Sequence, residues 1–365
     1  MKEKLFGFFA TRLGIITAGA TIGVLASLLQ KLGNPPNMGV CVACFQRDIA
    51  GAIGLHRFEP AQYIRPEIIG FVLGSLLSAL LFKEFRPRAG SSPMTRFILG
   101  MFTMIGALIF LGCPWRAILR TAGGDMNALF GIGGFIAGIW IGTIFLKSGY
   151  NLGRSQPTFT SQGLILPIIM VFLLIANLLF PQVPGESKSG ILFYSTKGPG
   201  SMHAPFAVSL SFGILIGFLA QRSRFCVMGG IRDFLLFRQK HLLSGILAFF
   251  LSAFLTNLAF DQFKLGFGKQ PIAHTMQLWN FTGMVLVGLA STLAGGCPGR
   301  QVFLAGEGDG DAAIFVLGMI VGAAIAHNFS LVSSPDGIGR YGAHAALIGL
   351  ICCLLMGFTM RKKNL

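Results

Sequence analysis

Ten stretches of roughly twenty mostly apolar residues follow one another along this chain, near 13–31, 66–83, 95–112, 126–146, 161–180, 204–220, 242–260, 278–296, 312–329 and 341–360. A helix needs about 20 such residues to cross the hydrocarbon core of a bilayer. In lipid, only helices and closed barrels satisfy their own backbone. The expected fold is therefore an all-α polytopic membrane protein. Composition agrees, because 53% of the 365 residues are hydrophobic and only 12% are charged, against about 25% charged in a soluble domain. Two further apolar segments, near 39–56 and 224–240, are too short and interrupted to span. They read as re-entrant pieces, tolerated at depth only inside protein or beside a wet cavity.

Basic residues give the expected orientation, since cytoplasmic loops carry the excess of Lys and Arg. Lys2, Lys4 and Arg12 precede the first span. Further groups are Lys83 to Arg96, Lys147 with Arg154, Arg222 to Lys240, and the tail Arg361-Lys362-Lys363. With ten spans all of these fall on one face, whereas the connections 184–203 and 261–275 are nearly balanced in charge. The expectation is a multi-pass protein of the plasma membrane, the inner membrane in a Gram-negative cell, with both termini cytoplasmic. No cleavage site follows Met1-Lys-Glu-Lys-Leu-Phe, so the first helix reads as retained. Loop charge accounts for most of the net +16 and removes the need for a nucleic-acid partner. It does not account for arginines inside apolar motifs, which point to an anionic ligand.

The chain repeats itself. Cys41-Val42 precedes Arg47-Asp48 at the spacing with which Cys226-Val227 precedes Arg232-Asp233. Gly112-Cys113-Pro114-x-Arg116 and Gly296-Cys297-Pro298-x-Arg300 form a second matched pair, each followed at the same interval by Gly-Asp. Upstream, Gly19-x-x-Ile22-Gly23-x-Leu25-Ala26 matches Gly213-x-x-Ile216-Gly217-x-Leu219-Ala220. The offsets are 185, 184 and 194 residues, so one half carries an insertion near Asn34-Pro-Pro. The expected organisation is a first repeat over 1–183, an extracytoplasmic connection over 184–203 and a second repeat over 204–365. An odd number of spans per half makes the repeats inverted, an arrangement typical of transporters with broken helices at mid-depth.

These motifs supply the candidate substrate path: Cys41, Cys113, Cys226, Cys297, Arg116 and Arg300. Pro114 and Pro298 suit the first turn of a half-helix, where no amide hydrogen is missed, and such an N-terminus attracts anions. Arg47 with Asp48, and Arg232 with Asp233, either neutralise each other or support the ligand. Arg116 and Arg300 contact the anion or reach toward a surface. Asp125, Asp309 and Asp311 stand where helices begin and read as N-caps. A lone Cys in an apolar helix is a small hydrophobe, as expected for Cys352 and Cys353. Four cysteines at matched positions are different, because a neutral thiol can donate a weak S–H bond and matches soft sulfur or selenium. A thiolate would repel a dianion.

The segments Cys226-Val-Met-Gly-Gly, Gly-Gly-Cys297-Pro-Gly-Arg and Leu-Gly-Cys113-Pro-Trp-Arg resemble the YeeE/YedE sulfur-transport family across both repeats. The likeness is greatest to YedE-type members proposed as selenium transporters. It implies an hourglass-shaped inner-membrane protein importing thiosulfate or a related sulfur or selenium anion. It also implies a relay of S–H contacts at Cys113, Cys226 and Cys297, with Cys41 matched through the repeat. A cytoplasmic sulfur- or selenium-carrier protein would then receive the cargo. The stretch Arg222-Ser-Arg-Phe-Cys226 meets the family's Gly-Arg-Ser-x-x-Cys pattern only in part.

Two other classes compete. Cys41-Val-Ala-Cys44 resembles the Cys-x-x-Cys of quinone-linked membrane thiol oxidoreductases, but the second half has Gly229 where Cys44 stands. The chain is also compatible with a membrane accessory subunit of a selenium-dependent redox system. The expectation is nevertheless a transporter rather than an enzyme, with no cofactor and no metal, because neither the cysteines nor the histidines show four-ligand zinc spacing. No phosphate-binding P-loop occurs, which excludes ATP-driven transport by this chain alone.

Overall fold

The structure is a computed structural model describing residues 7–183 and 185–361. Lys2, Lys4, Lys362, Lys363 and Pro184 lie outside the described residues. The first half contributes α1 (Arg12–Lys31), α2 (Val42–Ala52), α3 (Pro66–Leu81), α4 (Pro93–Phe110), α5 (Pro114–Ala122), α6 (Asn127–Lys147) and α7 (Ile165–Leu179). The second contributes α8 (Phe206–Arg222), α9 (Val227–Phe237), α10 (His241–Ala259), α11 (Gln277–Ala294), α12 (Pro298–Gly306), α13 (Gly310–Asn328) and α14 (Gly342–Thr359). Among the described residues, nine helical segments are long and apolar enough to cross a membrane. The chain is thus a nearly all-helical, multi-pass membrane protein.

One expected span is shorter than anticipated. Instead of a helix over 161–180, α7 has 15 residues, about 22 Å at 1.5 Å per residue. A separate turn, Thr160–Gly163, precedes it, and Pro181 follows its last residues. The span expected near 312–329 is fully helical as α13. The two segments too short to span form α2 and α9, each 11 residues long.

Local chemistry explains where the helices start and stop. The side chain of Thr11 accepts from Gly14 N at the head of α1. Asp309 accepts from Ala312 N at the head of α13, as an N-cap should. Proline occupies the first turn of α3, α4, α5 and α12. At the far ends, Leu111 after α4 and Gly295 after α11 adopt left-handed conformations. That reverses the chain before each Cys-Pro step. Asp311 departs from the capping expectation. Its carboxylate accepts from Gly90 N, Ser91 N, Ser91 Oγ and Ser155 Oγ, tying the start of α13 to loops of the first half.

The main helix packing joins the two halves. α1 packs on α10 and α3 on α8, while α4 packs on α13 and α6 on α11, with α4 against α11 between them. Exchanging each helix for its sequence counterpart turns the first of each pair into the second. The contacts rest on glycine, as expected where lipid gives helices no hydrophobic drive to associate and close backbone approach supplies the attraction. A Cβ on Gly19 would stand 2.1 Å from Gly245 O, and one on Gly74 2.1 Å from Ile214 O. The last helix of each half breaks this exchange: α7 lies on α3 and α12, whereas α14 lies on α11, α4 and α6.

The loops gather into two ends. At one, Glu84 meets Arg222, Arg88–Ala89 pairs with Gln156–Pro157, and Tyr150 bridges to Arg361. The basic groups near 83–96, 147–154, 222–224 and 361 therefore share an end. At the other, Ser195 bonds Gln62 N and Glu59 O, Asn328 bonds Leu55 O, and Lys264 N bonds Gly123 O.

Candidate thiol-paired path

The four cysteines singled out by the repeat come together in twos, each within its own half. Cys41 Sγ lies 3.7 Å from Cys113 Sγ, and Cys226 Sγ lies 3.7 Å from Cys297 Sγ. All seven cysteines are free thiols, and 3.7 Å is well beyond the ~2.05 Å of a disulfide. Each thiol stands at a helix start. Cys41 and Cys226 are the N-caps of α2 and α9, Cys113 and Cys297 those of α5 and α12. Two half-helix N-termini therefore converge at each pair, bringing free N–H groups and positive dipole ends that favour an anion.

The cap itself was not anticipated. Cys41 Sγ accepts from Cys44 N at 3.4 Å, and Cys226 Sγ accepts from Gly229 N at 3.2 Å. A sulfur thus does what a Ser, Thr, Asn or Asp oxygen ordinarily does. The cap uses a lone pair and leaves the S–H to donate across the pair, from Cys41 to Cys113 and from Cys226 to Cys297. Cys41, Cys113 and Cys297 are fully buried, while Cys226 retains 6% exposure.

The charged residues divide differently in the two halves. Arg47 donates to Asp48 Oδ1 from Nε at 3.0 Å and Nη2 at 2.6 Å, and Arg65 Nε donates to Asp48 Oδ2 at 2.7 Å. Arg65 also donates to Met202 O and Pro199 O. Arg232 and Asp233 pair at 2.8 Å but are 30% and 22% exposed. Both Arg-Asp motifs are thus ion pairs, one locked in the interior and one at the margin.

Arg116 is fully buried, and its guanidinium faces main-chain carbonyls. It donates to Asn37 O and Ile272 O at 3.2 Å and to Leu111 O, with Cys44 Sγ 3.8 Å away. Its counterpart Arg300 sits among side chains. Arg300 meets Glu307 at 3.1 Å, Arg224 meets Glu307 and Glu84 at 3.1 Å, and Arg222 meets Glu84 at 2.8 Å. Asp125 accepts from Asn127 N at 3.0 Å and pairs with buried Arg120 at 2.6 Å. Arg65, Arg120, Glu84 and Glu307 carry no motif. Their only sequence signal is a charge within or beside an apolar run.

Cavities among the described residues flank these groups. A cleft of ≈ 430 Å³ at the basic end is lined by Phe9, Glu84, Arg222, Arg224, Asp233 and His241. An apolar crevice of ≈ 210 Å³ runs between Pro114 of α5 and Val227 of α9, the residues that follow Cys113 and Cys226. Among the described residues no group of three or more His, Cys, Asp or Glu is placed to hold a metal.

Comparison with known proteins adds two findings. The model of a family described as sulphur transport matches residues 222–352. An uncharacterized protein of Methanocaldococcus jannaschii is 27% identical over 103 residues, which cover 25% of this chain and 98% of that protein. The matched region holds Cys226, Cys297, Arg300 and Glu307, hence one complete thiol pair and its carboxylate–arginine network. Residues 222–352 of this chain are thus similar to the sulphur transport family.

Proposed function

We propose that the chain imports a small sulfur anion such as thiosulfate, or the corresponding selenium oxyanion, along a path past the two thiol pairs. The observation that carries this reading is the paired geometry: in each half, two helix N-termini bring two thiols to 3.7 Å at buried depth. An anion arriving there meets N–H dipoles and S–H donors but no unpaired cation, so it is held without being trapped. Soft sulfur or selenium matches the thiols better than a hard oxyanion does. The cysteines remain neutral donors and change no bond, so the chain acts as a transporter rather than an enzyme.

The two halves act as inverted repeats in this reading, with the Cys41/Cys113 pair toward the outside and the Cys226/Cys297 pair toward the cytoplasm. The exchange of helix contacts between the halves supports it. So does the gathering of basic loops at the end that holds Arg222 and Arg224, which would then be cytoplasmic together with both termini. The cleft at that end would release the anion to a cytoplasmic sulfur- or selenium-carrier protein. Arg116 sets the backbone around the outer pair, and Arg300 is available to the anion by exchanging Glu307 for it.

The test is uptake by proteoliposomes offered labelled thiosulfate, selenite and sulfate separately. Thiosulfate or selenite should enter and sulfate should not. Entry of none of the three would overturn the proposal.

A further inference from the structure

Between the thiol pairs stands a side chain that the path described above leaves unused. Trp115, two residues beyond Cys113, is wholly buried. Its ring meets Phe71 of α3, Phe249 of α10 and Phe303 of α12 at centroid distances of 6.3, 5.6 and 5.8 Å. It also meets Phe225, the residue before Cys226, edge to face at 5.3 Å. The indole is thus two residues from one thiol pair and in contact with the neighbour of the other.

Two details set Trp115 apart from ordinary core. Its Nε1 is buried without a hydrogen-bond partner, although a buried indole N–H usually has one and an orphaned donor costs free energy. In addition, the edge bearing Nε1 abuts Gly299, where a Cβ would lie 3.0 Å away. Gly299 is the residue that the duplication aligns with Trp115, in Cys113-Pro-Trp-Arg116 and Cys297-Pro-Gly-Arg300. One half supplies the ring, and the other supplies its space at the first turn of α12.

Resting on the transport reading, we infer that Trp115 is the plug between the two thiol pairs and sets which anions cross, its indole N–H donating to the anion in passage. In this conformation the aromatic cage holds the plug shut. A passing anion satisfies the orphaned N–H, which gives the ring a reason to move. A neutral donor favours an anion that loses its water readily over a strongly hydrated one such as sulfate.

Trp115→Gly in proteoliposomes, which makes the two motifs alike, should admit sulfate at least an order of magnitude faster than wild type. Sulfate exclusion unchanged in a folded Trp115→Gly protein overturns the plug. Trp115→Phe keeps a ring without the N–H and should exclude sulfate while slowing thiosulfate uptake several-fold; uptake at the wild-type rate overturns the donor role. Should Trp115→Gly not fold, the Trp140→Phe/Trp279→Phe protein leaves Trp115 as the single fluorophore. Its emission should change saturably with thiosulfate and stay constant with sulfate, and a constant emission with both overturns the assignment. Wild-type liposomes that admit none of the anions overturn the transport reading instead, and the fluorescence titration then judges Trp115 alone.

Discussion

The two thiol sites share a backbone plan and differ in what surrounds it. Around Cys41 and Cys113, every charge is locked inside: Asp48 is shared by two buried arginines, and Arg116 is spent on carbonyl oxygens. Around Cys226 and Cys297, the matched pair Arg232–Asp233 is partly exposed, and Arg300 shares Glu307 with Arg224. The first half also fills its motif with Trp115, whereas the second leaves Gly299. Duplication kept the thiols at 3.7 Å in both places. The sulfur caps and the Arg–Asp pairs recur as well, but the first site is enclosed and the second is partly exposed.

That contrast can be broken first at the aspartates. Asp48→Asn strands two buried guanidiniums and should cost about 3–5 kcal/mol, the usual penalty for removing one partner of a buried pair. Asp233→Asn, at a partly exposed pair, should cost no more than ~1 kcal/mol. Thermal melting of the two variants in detergent reads the difference directly. Equal losses would mean that the two environments do not differ as described.

The matched arginines come next. Arg116→Gln empties a buried cluster of main-chain carbonyls and should reduce folded yield sharply. Arg300→Gln should fold near normally and slow thiosulfate uptake by about tenfold, the scale of one charge-assisted hydrogen bond. Size-exclusion profiles and uptake rates of the two proteins separate these outcomes. An Arg300→Gln protein with unimpaired uptake would confine Arg300 to its pairing with Glu307.

The smallest effect concerns the caps. Serine caps a helix as well as any residue, whereas an aliphatic side chain loses about 1 kcal/mol. Cys226→Ser should therefore melt like wild type, and Cys226→Val should melt a few degrees lower. If both melt alike, the Sγ contact to Gly229 N contributes nothing to α9.

Much of the architecture is legible in the sequence because the bilayer dictates it. Apolar runs near twenty residues gave the helices to within a few residues, and the runs that were too short became α2 and α9. The Cys-Pro steps were legible as helix starts because proline suits a first turn and little else in a helix. The shortness of α7 was not, since Leu164 interrupts an apolar run without changing its hydropathy. Partners distant in sequence were also hidden. Glu84 with Arg222, Asp48 with Arg65 and Asp311 with Ser91 are brought together only by folding. Sulfur caps leave no sequence signal, because cap preferences favour side-chain oxygens. The part played by Trp115 depends on a glycine in the other half, which neither motif discloses by itself.

The central claim is that both thiol pairs line one path. The most direct test is thiosulfate uptake by Cys113→Ser and Cys297→Ser proteoliposomes, because serine preserves size and helix start while removing the soft donor. Each substitution alone should lower the uptake rate by about tenfold, with melting temperatures unchanged, because a hard hydroxyl replaces the soft thiol that matches the anion's sulfur. Wild-type uptake by both variants would contradict the account.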